Sequence, residues 1–225
     1  MIYVVGGMES KIAKSTTAVN LAIYLSMQKQ HNVLLIDADP SQCATDFMNS
    51  RKKHTPDCHL HLLQLDGGAI KEEVIQHQSK YDDIVIDCGI GENLKYAMGV
   101  SSKLIVPLSD KELHLWGVVW NLTRIEDLIK ESLKDNTALE AYAFLISRSP
   151  QEKDDAYVVK YLKESPLVKF VENPMLDDTA LVKQTFFGQT ISKGYSAFDY
   201  KPVNEKATSG LGKIFECINN KNVEL

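Results

Sequence analysis

Short apolar runs alternate with amphipathic periods along almost the whole chain. Ile2-Tyr3-Val4-Val5, Val33-Leu34-Leu35-Ile36, Leu60 to Leu65, Ile84-Val85-Ile86, Leu104-Ile105-Val106 and Tyr142 to Ile146 are near-continuous apolar stretches, and Val168-Lys169-Phe170-Val171 is a weaker one. Such runs suit strands buried on both faces, as in a parallel sheet. Between them, Ala18, Leu21, Ala22 and Leu25 repeat at helical spacing. Leu115, Val118, Val119, Leu122, Ile125 and Ile129 do the same over a longer stretch, and Ile70, Val74 and Ile75 over a shorter one. The tail from Lys201 to Leu225 reads as a helix carrying Leu211, Ile214, Phe215 and Ile218, with a polar end. Alternating strands and helices imply right-handed crossovers and an α/β fold: a doubly wound, mostly parallel sheet with helices on both faces. No repeat, low-complexity tract or linker interrupts the pattern, so residues 1–225 read as a single domain.

The polar residues at the strand ends change the picture. Gly6-Gly7 follows the first strand, and Lys14-Ser15-Thr16-Thr17 opens the next helix. That is the layout of a phosphate-binding loop, and it points to a nucleoside triphosphate. Asp37 and Asp39 follow the second strand in Ile36-Asp37-Ala38-Asp39-Pro40, and Asp87 ends the run Ile84-Val85-Ile86. In open α/β sheets the ligand crevice lies beyond the carboxyl ends of the strands. Lys14, Asp37, Asp39 and Asp87 are therefore expected to converge there.

Each residue type suits a task at such a site. Lys14 offers a point charge for β- and γ-phosphates. Ser15 can ligate Mg²⁺ through its hydroxyl, and Asp87 can hold that ion's water shell. Free N–H groups at Ser15-Thr16-Thr17 face anionic oxygen. Asp39 can orient an attacking water, with Asp37 supporting the metal. One carboxylate after a strand is often a helix cap or turn former. Three of them, together with Lys-Ser-Thr, argue for a site.

Composition narrows the classes. Hydrophobic residues make up 44% of the 225 and charged residues 24%, which is ordinary globular usage. A chain of this size buries a full core without disulfides or metal. A net charge of -5 argues against an obligate nucleic-acid coat protein but leaves room for a local basic patch. Cys43, Cys58, Cys88 and Cys217 form no CxxC pair, which predicts reduced thiols in a cytoplasm. No charged n-region precedes the first strand, and no apolar run approaches ~18 residues, so neither a signal peptide nor a membrane span is expected.

Several stretches resemble the ParA/MinD group of P-loop ATPases, which carry a deviant Walker A motif. Met1 to Gly7, Lys14 to Ala22 (KSTTAVNLA), Val33 to Gln42 (VLLIDADPSQ), Ala44 to Met48 (ATDFM) and Tyr81 to Gly89 (YDDIVIDCG) carry the resemblance. Leu104 to Leu108, Ala141 to Pro150 and Gly188 to Pro202 extend it over almost the whole chain. The likeness is greatest to the small partition ATPases of plasmids and conjugative elements. It implies ATP/ADP and Mg²⁺ as cofactors and a nucleotide-linked homodimer. It also implies non-specific DNA and a centromere-binding (ParB-like) protein as partners, with no membrane. By position, Lys14 would be the main phosphate lysine, Ser15 the Mg²⁺ ligand, Asp39 the water-positioning carboxylate and Asp87 the Walker B acid. Lys11, Ala13, Thr16 and Arg148 complete the expected nucleotide-binding set.

The loop departs from the family pattern, roughly Lys-Gly-Gly-x-Gly-Lys-Ser/Thr. Aligned on Lys14, the family's signature lysine falls on Glu9, and Ser10, Lys11 and Ala13 replace the three glycines. Glycines let backbone approach phosphate at φ > 0. A non-glycine residue forced into a sparse region costs on the order of 1–3 kcal/mol. Glu9 near a γ-phosphate adds repulsion of about 4 kcal/mol at ~4 Å in an effective dielectric near 20. Lys11 could swing in to restore part of the lost charge. Ser147 stands where related proteins often carry Asn beside the arginine that meets the adenine edge. Weak nucleotide binding is the expectation.

Other candidates compete with plainer roles. His54, Cys58, His59 and His61 are the densest ligand cluster, but their spacing fits no zinc pattern. Arg51-Lys52-Lys53 reads as a solvated helix end or a DNA-phosphate contact. Lys183, Lys193, Lys201, Lys206 and Lys213 could share a basic face for DNA. Trp116 and Trp120, four apart on the long helix, suit core packing or a dimer face. Asn121-Leu122-Thr123 matches a glycosylation acceptor, but sits mid-helix.

Three functions stay open on the sequence. The first is a cytoplasmic partition ATPase that binds DNA and hydrolyses ATP weakly. The second is a non-catalytic adaptor of the same fold that binds DNA or a partner without turnover. The third is a MinD-like membrane-cycling ATPase, for which the tail is a poor lipid anchor.

Overall fold

The apolar runs become seven strands, and the amphipathic periods become helices packed on both sides of them. The computed structural model describes residues 1–8, 13–53, 59–65, 68–109, 115–146, 155–172 and 205–220. In chain order the elements are β1 (Ile2–Val5), α1 (Lys14–Gln28), β2 (Val33–Ala38), α2 (Cys43–Arg51), β3 (Leu60–Gln64), α3 (Ala69–His77) and β4 (Asp83–Cys88). They continue with α4 (Glu92–Met98), β5 (Lys103–Ser109), α5 (Leu115–Ser132), β6 (Glu140–Ile146), α6 (Asp155–Lys163), β7 (Val168–Phe170) and α7 (Glu205–Asn219).

All pairings are parallel, in the order β3-β2-β4-β1-β5-β6-β7. From β1 the chain winds to one side through β2 and β3. From β4 it crosses to β5 on the other side. This reversal opens the crevice at the carboxyl ends of β1 and β4.

Alternate residues of each strand feed two separate cores. Val5, Leu35, Val85 and Phe144 face α1, α2 and α7. Val4, Ile36, Ile86 and Val106 face α3, α4, α5 and α6. Burial of each such side chain is worth about 1.5–3 kcal/mol, which is what holds the layers together.

Local differences from expectation have physical causes. Ile75 lies 54% exposed, while Ile70 and Val74 are buried. In a two-turn helix only one narrow stripe reaches the sheet. The sequence pattern also marks neither the seven-residue α4, too short for a clear period, nor α6. Arg51 is wholly buried at the end of α2, so the basic run Arg51-Lys52-Lys53 is not three solvated charges. Its guanidinium lies 3.7 Å from the sulfur of Met27. Trp120 is 54% exposed with Arg124 stacked 4.6 Å from its ring centre, so it is not core. In α7, Leu211, Ile214, Phe215 and Ile218 are buried against the sheet, so this apolar stripe does not face lipid. No described helix is long and apolar enough to cross a membrane.

Candidate functional site

Three parallel strands deliver the expected residues to one rim. Val5 of β1 is in register with Asp87 of β4, and Asp87 with Asp37 of β2. Lys14 and Ser15 open α1, just beyond the end of β1. The close approach of β1 to α4 needs Gly6: a Cβ there would fall 2.4 Å from Leu94 Cδ1. The far side of the rim is pinned by Asn93, whose amide donates to the Ala38 carbonyl at 2.8 Å.

Asp87 is the centre of the arrangement. Its side chain is fully buried, and neither carboxyl oxygen accepts a well-formed hydrogen bond. Burial pushes its pKa up to about 7. The adjacent Ser15 hydroxyl and the Lys14 ammonium favour the charged form, while Asp37 and Asp39 oppose it. The same influences place Ser15, Lys14, Asp37 and Asp39 within electrostatic reach of Asp87.

Asp37 and Asp39 differ in how they are held. Asp37 Oδ2 accepts from both the N–H and the hydroxyl of Thr45 at 2.7 Å, and Oδ1 accepts from the Asp39 N–H at 3.2 Å. It ties α2 to the end of β2. Asp39 Oδ1 accepts from the Ser41 N–H at 2.8 Å. Its Oδ2 lies against Gly89, where an added Cβ would come within 3.1 Å. Asp39 thus sits directly over the strand end that carries Asp87.

The backbone is strained beside the site. Ala13 takes the left-handed conformation (φ 57°, ψ 29°) as the N-cap of α1, and its carbonyl accepts from the Thr17 N–H at 2.8 Å. Gln42 does the same at the start of α2, with φ 54°. Residues with a Cβ adopt this region at a cost, and such strain collects at ligand sites. Ala13 therefore takes the φ > 0 conformation that phosphate loops assign to glycine.

The expected set divides accordingly. Lys14, Ser15, Asp37, Asp39 and Asp87 come together, with Ala13 and Thr16 beside them on the loop and first turn. Lys11, Glu9, Ser147 and Arg148 lie outside the described residues, as do His54, Cys58, Lys183, Lys193 and Lys201. No His, Cys, Asp and Glu group that could hold a metal by itself occurs among the described residues. Sequence reasoning missed two supports, Thr45 and Asn93. Thr45 lies within the stretch ATDFM, which marks the resemblance but not the residue's contact with Asp37, and Asn93 belongs to no motif.

Residues 3–189 match the family described as the CobQ/CobB/MinD/ParA nucleotide binding domain. The chain belongs to that family. No individual curated protein matches it by sequence. Solved structures share the nucleotide-binding domain's fold at low identity. The MinD cell division protein of Aquifex aeolicus is 15% identical, with a TM-score of 0.70 over 100% of this chain and 98% of that one. The septum site-determining protein MinD of Pyrococcus horikoshii, complexed with Mg-ADP, is 16% identical, with a TM-score of 0.67 over 97% and 96%. A plasmid partition protein of Borrelia burgdorferi is 20% identical, with a TM-score of 0.55 over 76% and 89%.

Proposed function

We propose that the protein is a ParA-like partition protein. It binds Mg-ATP weakly, closes into a nucleotide-linked dimer, and in that state holds DNA non-specifically for segregation with a centromere-binding partner. The observation that carries the nucleotide part is Asp87. A fully buried carboxylate with no well-formed hydrogen bond, supported only by the nearby Ser15 hydroxyl and Lys14 ammonium, is costly unless a ligand completes it. A hydrated Mg²⁺ fits that environment: it prefers oxygen donors and keeps its own waters. Ser15 and Asp87 would hold the ion, which neutralises phosphate charge when bound. Lys14, Thr16 and the N–H groups at the start of α1 would take the phosphates. Asp39 would position a water, held by the turn that Asp37 braces. Lys11 and Arg148 are the remaining proposed contacts, from the loop and from beyond β6.

The same loop supports a second reading. Glu9 replaces a lysine, and Ala13 stands in the left-handed region without being glycine. Both weaken phosphate binding, and a non-catalytic adaptor follows if they abolish it. Retention on DNA cellulose with and without ATP separates the two. The partition reading predicts ATP-dependent retention that disappears in Lys14→Ala. Retention unchanged in Lys14→Ala shows that no ATP switch operates, and steady ATP hydrolysis by purified protein excludes the adaptor.

A further inference from the structure

The outer edge of β3 has the features of a second binding site, one strand beyond the Asp37 side of the nucleotide rim. In the β2–β3 ladder, His59 accepts from the Val33 N–H and the Leu65 N–H donates to Asp37. Residues of that parity point toward β2. Leu60, Leu62 and Gln64 therefore turn their N–H and C=O groups outward. β3 is the last strand of the sheet on this side, so among the described residues those groups meet no further strand. Edge strands in stable proteins are commonly guarded by lysine, proline or a bulge. The segment Leu60-His61-Leu62-Leu63-Gln64 has none of these.

A cavity of about 340 Å³ wraps this edge, lined among others by Lys52, Leu60, His61, Leu62, His77 and Tyr81. On the α3 face, the His61 and Tyr81 rings meet edge to face at 5.4 Å, and His77 lies 6.0 Å from Tyr81. On the α2 face, Lys52 stands exposed at the helix end with Lys53 next to it. The acid beside this cluster, Glu73, is engaged by His77 at 3.4 Å. The edge thus combines backbone groups at Leu62 and Gln64 that meet no further strand among the described residues, an apolar and aromatic hollow, and a basic rim on a chain whose net charge is -5.

We infer that the β3 edge is a docking site for an extended acidic segment of another protein, which adds as an eighth strand. Its backbone would pair with Leu62 and Gln64, beyond the buried Leu60. One apolar side chain would enter the aromatic hollow on the α3 face, and carboxylates on the opposite face of the added strand would face Lys52. A second copy of this chain is a poorer occupant. Its own β3 carries the same basic neighbours and no acid to complement them. The inference does not depend on nucleotide binding and is tested without nucleotide.

The test follows backbone amide signals of the isotope-labelled protein by NMR. The probe is an end-blocked octapeptide of alternating valine and glutamate. Saturable shifts and slowed exchange at Leu62 and Gln64, at up to about 5 mM peptide, are expected. Lys52→Glu should weaken the response about tenfold. Leu62→Pro should abolish it, because the lost N–H points outward and no ladder bond is removed. If Leu62→Pro does not fold, Lys52→Glu carries the test. Four results overturn the inference. They are silence at β3, an equal response to a valine-lysine peptide, the same shifts with free glutamate or N-acetylvaline, or β3 pairing that grows with protein concentration alone.

Discussion

Two aspartates on one strand have opposite situations. Asp83 begins β4 and Asp87 lies one residue before its end, and both are buried. Asp83 is fully engaged: the chain's first amino group lies 3.1 Å from one oxygen and His31 Nδ1 lies 2.5 Å from the other. Asp87 has no such partner. The whole rim follows suit. At the amino end of the sheet, Tyr3 donates to Asn219 at 2.5 Å, and buried Lys103 donates to the Ile218 carbonyl at the end of α7. Lys103 and Lys169 flank the Tyr142 ring at 5.1 and 5.3 Å, and Tyr142 donates to Glu140 at 2.9 Å. Those groups hold the fold together and lock α7 to the strands. The carboxyl rim instead keeps one buried carboxyl group, Asp87, without a well-formed hydrogen bond, next to the left-handed Ala13 at the start of α1. A protein tolerates that where a ligand is to supply the missing partner.

The sharpest way to test the contrast is to neutralise each aspartate in turn. With a folded pKa of about 7 and an unfolded value near 3.9, Asp87 leaves stability intact below about pH 4. Stability is then lost as pH rises to about 7, because only the unfolded chain releases the proton in that window. Asp87→Asn should therefore stabilise the ligand-free protein by about 3–4 kcal/mol at pH 8 and change little at pH 4. Urea unfolding at both pH values checks this, and equal stability of variant and parent at pH 8 breaks the comparison.

At the other rim the signs reverse. Lys103→Met should cost about 3 kcal/mol by leaving the buried Ile218 carbonyl without its donor, while Glu140 keeps Lys169 at 3.2 Å. Thermal unfolding measures it, and α7 should detach first in amide exchange. Asp83→Asn should cost about 2 kcal/mol, opposite in sign to its counterpart on the same strand. The smallest effect belongs to the loop. Ala13→Gly gives the φ 57° position a residue suited to it. It should tighten Mg-ATP binding several-fold with a stability change within about 1 kcal/mol. Unchanged affinity would show that Ala13 is not what limits the loop.

Much of this was legible in the sequence for simple reasons. Seven apolar runs predicted seven strands, because parallel strands buried on both faces have little room for polar residues. The crevice residues were legible because three carboxylates and Lys14-Ser15 sit at strand ends, where an α/β sheet collects its chemistry. Partnering was not legible. Nothing in Ile84-Val85-Ile86 distinguishes Asp83 from Asp87; only the register with β1 and β2 does. Arg51 looked like a surface charge because its neighbours are lysines, yet α2 turns it inward. The spacing of Trp116 and Trp120 suits core packing or a dimer face, and the exposed ring of Trp120 on the outer face of α5 removes the first for that residue.

The most direct measurement is a calorimetric titration of the nucleotide-free protein with Mg-ATP, run in parallel on Lys14→Ala. The account predicts saturable binding with a dissociation constant of about 0.1–1 mM, lost in Lys14→Ala. Binding should also be accompanied by proton release near pH 7 as Asp87 takes its charge. Micromolar or tighter binding would contradict the weakened loop. Absence of saturable heat at several millimolar, or identical curves for the parent and Lys14→Ala, would contradict the site itself.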